Sequence, residues 1–192
     1  MSSSPLAYPA YAQRSSFNLT VWLRAWLPVL AFSMVFAIES TSYFGRDRTS
    51  EPLLRVAETV FGYGIGAYWE TIHHILRKGG HVAGYGMFSL VCFRALWVVG
   101  GAAASRLRRK LRAHGLAIFL TFLLGSADEI HQTFLPNRYG AVSDVLLDTS
   151  GAVTLGLLLF LAMLAADRWR ARRKKLPHRF ETTEEAPLRQ SA

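Results

Sequence analysis

Residues 127–148, ADEIHQTFLPNRYGAVSDVLLD, carry most of the side chains that could do chemistry in this chain of 192 residues. The stretch holds four carboxylates, a histidine, a glutamine and an arginine, although apolar runs precede it at 116–124 and follow it at 153–166. Carboxylates and histidine transfer protons, and arginine binds carboxylate or phosphate through two parallel hydrogen bonds. These residue types are suited to binding a polar group or to acid–base work upon it.

The spacing of the polar residues places several of them on shared helix faces. Residues three or four apart lie on the same face of an α-helix. Asp128 and Glu129 are adjacent, so we expect one to point into the protein and the other toward water or a neighbouring helix. The sets with helical spacing are Lys78, His81 and Tyr85; Asp128 and Gln132; and Asp144 and Asp148.

The elements that must position these residues are apolar enough to cross a membrane. The chain is 51% hydrophobic and 18% charged, and the charged fraction is below the roughly 25% of soluble domains. A membrane-spanning helix needs about 20 predominantly apolar residues. We therefore predict an all-α integral membrane protein with four transmembrane helices, near residues 22–38, 82–99, 116–134 and 145–166.

The basic residues predict the orientation of these helices. They concentrate between spans two and three and after span four, and such segments stay in the cytoplasm. Both termini are then cytoplasmic, and the links 41–78 and 135–143 face outward. The link 41–78 includes an amphipathic stretch that predicts an interfacial helical segment on the outer side, with Tyr68 and Trp69 at headgroup level.

With this orientation, polar residues of all four spans converge on the outer end of the bundle. Glu39 closes the first span at the same level. Charges near a bilayer are costly unless they are paired or face water, so an inward cluster is expected. The candidate site residues are Lys78, His81, Tyr85, Asp128, Glu129, Gln132, Arg138, Asp144 and Asp148.

Three interpretations of this cluster stay open. It could be a structural network of ion pairs, a site that binds or acts on a polar group at the outer leaflet, or an ion or proton path. A path requires polar residues deep in the spans. The inner halves of the predicted spans offer only Arg94 and small hydroxyls.

Other classes of site and partner are disfavoured. No HExxH or DxDxD spacing is present, so no metal site and no cofactor are predicted. The net charge of +9 comes from basic residues that flank apolar runs, which favours a lipid bilayer over nucleic acid as partner. Cys92 has no second cysteine to pair with. The oligomeric state is not indicated. We expect a flexible tail over 1–20, a membrane domain over 21–167 and a basic, disordered cytoplasmic tail over 168–192.

Two stretches, RKGGHVAGYGMFSL (77–90) and SADEIHQTFLPNRYGAVSDVLLDTSGAVTLG (126–156), together resemble the VanZ-like family. The resemblance extends over about residues 20–166. Asp148 departs from it, because Asn is more usual at that position of the pattern. The matching residues are Lys78, His81, Tyr85, Asp128, Glu129, Gln132, Pro136, Arg138, Ser143, Asp144, Asp148 and Gly151.

The resemblance implies a multi-pass protein of the bacterial cytoplasmic membrane. The family's namesake confers resistance to teicoplanin, an acylated glycopeptide, and no agreed catalytic activity comes with the family. One hypothesis is a module that binds an envelope lipid headgroup or an acylated glycopeptide, with Lys78, His81 and Arg138 contacting phosphate or carboxylate. The other is a membrane-embedded enzyme acting on an envelope lipid, with His81 or a carboxylate as general base.

Overall fold

The computed structural model of the protein describes residues 18–101, 105–136 and 138–174. Within these residues the chain is helical and has no strand. Four helical segments are long and apolar enough to cross a membrane, which confirms the predicted all-α fold with four membrane-length helices. The helices are α1 (Leu19–Glu39), α2 (Arg46–Phe61), α3 (Trp69–Val99), α4 (Arg106–Thr133) and α5 (Val142–Lys174), with 3₁₀ turns at Ser42–Phe44 and Tyr63–Tyr68.

Helix α3 lies at the centre of the bundle. It packs against α1, α4 and α5, and α4 also packs against α5. The ends of α1 and α4 meet the starts of α3 and α5, and we call this end of the bundle the polar end. At the opposite end, which we call the basic end, the start of α4 meets the last turns of α5.

Two glycines allow α3 and α5 to approach each other closely. A Cβ atom at Gly151 would lie 2.1 Å from the carbonyl oxygen of Val82, and one at Gly86 would lie 2.8 Å from Leu155. Small residues at helix contacts bring backbones together, which is the usual way that membrane helices pack. This close approach determines how near the polar side chains of α3 and α5 come to one another.

Three helices extend beyond the predicted spans. Helix α3 begins at Trp69 and not near residue 82, α4 begins at Arg106 and not near 116, and α5 reaches Lys174. The predicted spans covered only apolar residues, whereas backbone hydrogen bonding continues through polar turns at either end. Residues 168–174, expected in the disordered tail, are therefore the last turns of α5. Residues 1–17 and 175–192 of the two expected tails lie outside the described residues.

The predicted interfacial segment is divided among three elements. Its first part ends α2 and its middle forms a 3₁₀ turn. Its last part is the start of α3. Gly62 ends α2 with φ at +85°, a conformation that glycine adopts without strain. Trp69, whose expected headgroup level stays a prediction, is buried. Its indole N–H donates to Ser50 Oγ at 2.8 Å, and its ring stacks on His73.

Candidate functional site

Two pairs of predicted site residues join α3 to α5 at the polar end. Lys78 Nζ contacts Asp144 Oδ1, and His81 Nδ1 lies 3.2 Å from Asp148 Oδ1. The pairs lie one helical turn apart on both helices. The spacing predicted these shared faces, and the structure brings the two faces together.

Asp128 is held by neutral donors. The hydroxyl of Tyr85 and the amide of Gln132 both donate to its Oδ2 atom, each at 3.1 Å. Tyr85 is fully buried, and its ring lies between those of Phe36 and His81. No cation among the described residues lies within salt-bridge distance of Asp128, so its charge is stabilised by hydrogen bonds alone.

Glu129 turns away from Asp128 and toward the link before α5. Its Oε2 atom accepts the backbone N–H of Ala141 at 2.7 Å, and the residue is buried. Gly140 permits this contact, because a Cβ atom there would lie 2.1 Å from the carbonyl oxygen of Glu129. Glu129 therefore fixes the link that leads into α5.

Arg138 joins that link to the end of α1. One of its terminal nitrogens donates to the carbonyl oxygens of Glu39 at 3.2 Å and Thr41 at 2.7 Å. The other donates to Gln132 Oε1 at 3.5 Å. Its Nε atom is buried and has no hydrogen-bond partner among the described residues. The guanidinium group bonds only neutral oxygens, so its positive charge is not neutralised by a described carboxylate.

Asp148 is fully buried within the bundle. Its Oδ1 atom pairs with His81, while its Oδ2 atom has no hydrogen-bond partner among the described residues. The Oδ2 atom faces Gly125 of α4, where a Cβ atom would lie 3.5 Å away. A buried carboxylate with one unpartnered oxygen is expensive, so this position indicates a requirement beyond packing.

A cavity of about 460 Å³ opens beside these residues, bounded by helices α1 to α4. Four predicted site residues line it, namely His81, Asp128, Gln132 and Arg138. The other five do not line it and either support the lining residues or join the helices: Lys78, Tyr85, Glu129, Asp144 and Asp148.

The cavity wall combines polar and apolar side chains. Its polar side chains include Glu39 and Arg77 in addition to the predicted residues. The ring of Phe36 lines the cavity and also stacks on Tyr85 at 4.4 Å between centroids. The apolar side chains of the wall include Phe32, Val35, Phe36, Leu53, Leu76 and Met87.

Lys78, the basic residue of α3 that was predicted for the site, does not line the cavity. Lys78 pairs with Asp144, whereas its neighbour Arg77 lines the cavity. One terminal nitrogen of Arg77 donates to the carbonyl oxygen of Phe44 at 3.1 Å, and no described carboxylate lies within salt-bridge distance. The signal was present, because Arg77 is four residues before His81 and so shares its helix face.

Further contacts at this end were also missed. Ser40, after α1, lies 2.9 Å from His131 Nδ1 and so ties the ends of α1 and α4 together. His73 is fully buried under α2, 3.3 Å from Thr49. His131 is three residues after Asp128, so its helical spacing was a signal that the candidate set did not use, whereas His73 has no such spacing with any predicted site residue. Among the described residues, no three His, Cys, Asp or Glu side chains are grouped so that they could hold a metal ion.

The basic end contains an ion pair whose lysine is buried. Lys110 is 2% exposed, and it contacts Asp167 of α5 and the carbonyl oxygen of Met163. Arg106 binds the same carboxylate at 3.1 Å. Both partners lie just beyond the predicted spans, since residues 106–112, taken as a link, form the first turns of α4 and Asp167 lies in the last turns of α5.

Fold and site together define a multi-pass helical membrane protein with an amphipathic cavity at one end of its bundle. The family model of VanZ/LLP1 matches residues 21–164, which is more than half of the chain. The chain belongs to the VanZ/LLP1 family, and the resemblance found in the sequence is confirmed. No curated protein matches the chain, and no solved structure does.

Proposed function

We propose that this protein binds an anionic amphiphile of the bacterial cell envelope in the cavity at its polar end. The observation that carries the proposal is the composition of the cavity wall. Two guanidinium groups that have no carboxylate partner among the described residues line the cavity together with apolar side chains. A lipid with a phosphate headgroup combines an anionic group with apolar chains in the same way.

The guanidinium groups indicate an anionic headgroup. Arg77 donates one hydrogen bond to a carbonyl oxygen and retains further donors, and the buried Nε–H of Arg138 has no partner in the part of the chain that the structure describes. Arginine binds phosphate through two parallel hydrogen bonds to its planar group. The carboxylate of Asp128 does not compete for these donors, because Tyr85 and Gln132 already hold it.

The size and the apolar side chains of the cavity indicate that the ligand carries a hydrocarbon chain. The cavity of about 460 Å³ falls within the roughly 300–1,000 Å³ of ligand pockets. It would hold a headgroup and the first part of a chain. The remainder of the chain would lie in the bilayer beside α1, whose apolar side chains such as Leu27 and Leu30 are exposed.

The proposal includes an orientation in the bacterial cytoplasmic membrane. The basic residues at the start of α4 and at the end of α5 would face the cytoplasm, and the polar end would face outward. Helix α2 would then lie at the outer interface, since its sequence mixes exposed apolar residues such as Val56 and Val60 with charged ones. The ligand would enter from the outer leaflet.

The experiment compares two lipids that differ only in the phosphate. The purified protein in detergent is titrated with dioleoyl phosphatidic acid or with dioleoylglycerol, and bound lipid is counted by native mass spectrometry. We expect phosphatidic acid to bind at least about tenfold more tightly, since a charge-assisted hydrogen bond contributes about 1.5–3 kcal/mol.

The Arg77→Gln substitution should remove most of that preference. The matched control is Arg55→Gln on α2, where the arginine is exposed and pairs only with Glu51. Equal affinity for the two lipids, or equal losses in both variants, would contradict the proposal.

Like phosphatidic acid, the acylated glycopeptide of the resistance hypothesis combines an acyl chain with a polar group. Teicoplanin and vancomycin are therefore added as competitors of bound phosphatidic acid. Displacement by teicoplanin alone would support a resistance-type role at this cavity. Displacement by neither would remove that role and leave the envelope lipid as the ligand.

A further inference from the structure

We propose that the cavity is also a hydrolytic site, in which His81, held by Asp148, accepts a proton from a water molecule that attacks a lipid phosphomonoester. This inference rests on the proposed function, because it requires that the phosphate of the lipid is bound in the cavity. It assigns an activity to a pair of residues that binding alone does not need.

The first support is the arrangement of a buried carboxylate behind a histidine. Asp148 is fully buried, and its Oδ1 atom lies 3.2 Å from His81 Nδ1. A carboxylate only accepts hydrogen bonds, so the ring donates from Nδ1 and keeps Nε2 free to accept a proton. This use of a carboxylate to orient a histidine base recurs in unrelated hydrolases.

The second support is that His81, unlike its supporting residues, reaches the cavity. Its side chain is 30% exposed and lines the cavity wall, and its Nε2 atom has no hydrogen bond to a described residue. The ring stacks against Tyr85, which is itself fixed by Phe36 and by the bond to Asp128. Asp148 and Tyr85 therefore hold the ring of His81 in place, and its Nε2 atom stays available to a ligand.

A purely structural pair would not need that access. Lys78 and Asp144 already join α3 to α5 one turn away, and neither lines the cavity. Both pairs connect α3 to α5, but only the pair of His81 and Asp148 has a member in the cavity wall. A pair that only links the helices does not require this position. This comparison also supplies a matched control.

The third support is the position of the guanidinium groups. Arg77 lies on the same face of α3 as His81, one turn before it, and such neighbours are about 5–6 Å apart at their Cβ atoms. A phosphate bound by Arg77 therefore lies next to the ring of His81. Arg77 and Arg138 would also stabilise the charge on the phosphate oxygens as the transition state forms.

The step balances without a further reactant. The oxygen of water forms a bond to phosphorus, and the bond from phosphorus to the lipid alcohol oxygen breaks. One proton of the water passes to His81 Nε2 and then to bulk water, while the leaving alkoxide takes a proton from bulk water. The products are the free lipid alcohol and inorganic phosphate.

The test measures inorganic phosphate and dioleoylglycerol released from dioleoyl phosphatidic acid by the full chain in liposomes. We expect equal amounts of both products from the wild type. His81→Gln and Asp148→Asn should each lower the rate by about 100-fold or more, since general bases contribute about 10²–10⁴-fold. Asp144→Asn, which breaks the neighbouring pair, should keep the rate within about threefold of the wild type.

Binding is measured on the same preparations, so that the two proposals fail separately. Wild type that binds phosphatidic acid but releases no phosphate would overturn the hydrolytic inference and leave the binding function intact. Wild type that binds none would overturn both. A rate in His81→Gln equal to that of the wild type would show that the histidine is not the base. The melting temperature of each variant, with His81→Asn as a second substitution, separates a lost reaction from a lost fold.

Discussion

At the scale of single residues, Asp128 shows how a carboxylate can lie beside a cavity without a cation. Tyr85 and Gln132 each donate one hydrogen bond to the same oxygen of Asp128. Hydrogen bonds to a charged group contribute about 1.5–3 kcal/mol each. The two arginines of the cavity wall are not used to hold this carboxylate, so they keep donors available to a ligand.

We predict that Tyr85→Phe lowers the stability of the ligand-free protein. The ring and its stacking with Phe36 remain, but Asp128 loses one of its two donors at a buried position. The expected loss is about 1–3 kcal/mol, measured as the shift of the thermal unfolding midpoint in detergent. Tyr139→Phe is the matched control, because Tyr139 is 91% exposed, and an equal shift in both variants would contradict the role given to Tyr85.

Residue-level prediction from the sequence identified the helix faces but not their partners. Helical spacing placed Lys78 and His81 on one face and Asp144 and Asp148 on another, and the structure pairs Lys78 with Asp144 and His81 with Asp148. Spacing could not decide whether Arg77 or Lys78 faces the cavity, because that depends on the rotation of α3 about its axis. The rotation is determined by packing against three helices, which local sequence does not specify.

At the scale of elements, the contact between α3 and α5 positions both polar pairs. The contact is close because Gly151 leaves space for the backbone of Val82. Any side chain at that position would push the helices apart. The distances of Lys78 to Asp144 and of His81 to Asp148 depend on the same contact.

We predict that Gly151→Ala destabilises the protein and Gly115→Ala does not. The new Cβ atom at 151 would lie 2.1 Å from the Val82 carbonyl oxygen, whereas nothing lies within 4 Å at 115. Overpacking costs about 1–3 kcal/mol, and relief of a helical glycine contributes about 0.5–1 kcal/mol in the opposite direction. Unfolding midpoints in detergent should fall for the first variant and stay equal or rise for the second. A fall of the same size in both would contradict the close contact.

The elements themselves were predictable where they are apolar and less so where they are polar. Four apolar stretches predicted four membrane-length helices, and the structure has them. The first turns of α4 could not be predicted as part of a helix packed into the bundle, because Lys110 is basic and was assigned to a link. Its burial depends on the ion pair with Asp167 and on the hydrogen bond that it donates to the Met163 carbonyl oxygen. The sequence does not show that long-range pairing.

At the scale of the whole molecule, the two ends of the bundle differ in kind. The polar end combines carboxylates, histidines and arginines around a cavity, and at the basic end Arg106 and Lys110 both bind Asp167. Cytoplasmic segments of membrane proteins are enriched in lysine and arginine. The orientation that we propose follows from this difference.

We predict that the link before α5 is accessible from outside the cell and that the end of α5 is not. Single cysteines, Tyr139→Cys and Arg170→Cys, are placed in a background with Cys92→Ala, since Cys92 is buried in the core. A membrane-impermeant maleimide applied to spheroplasts should label the first variant directly and the second only after the membrane is permeabilised. The reverse pattern would contradict the orientation.

We expect the anionic lipid to bind in the cavity at the polar end. Gly80 lines this cavity and its neighbour Gly79 does not, although a Cβ atom at either position would have nothing within 4 Å. Gly80→Phe should therefore fill the cavity without straining the helix, and Gly79→Phe should leave it open. The measurement is the affinity of each variant for dioleoyl phosphatidic acid by native mass spectrometry. We predict binding at least about tenfold weaker in Gly80→Phe and unchanged in Gly79→Phe. Wild-type affinity in both variants would contradict it.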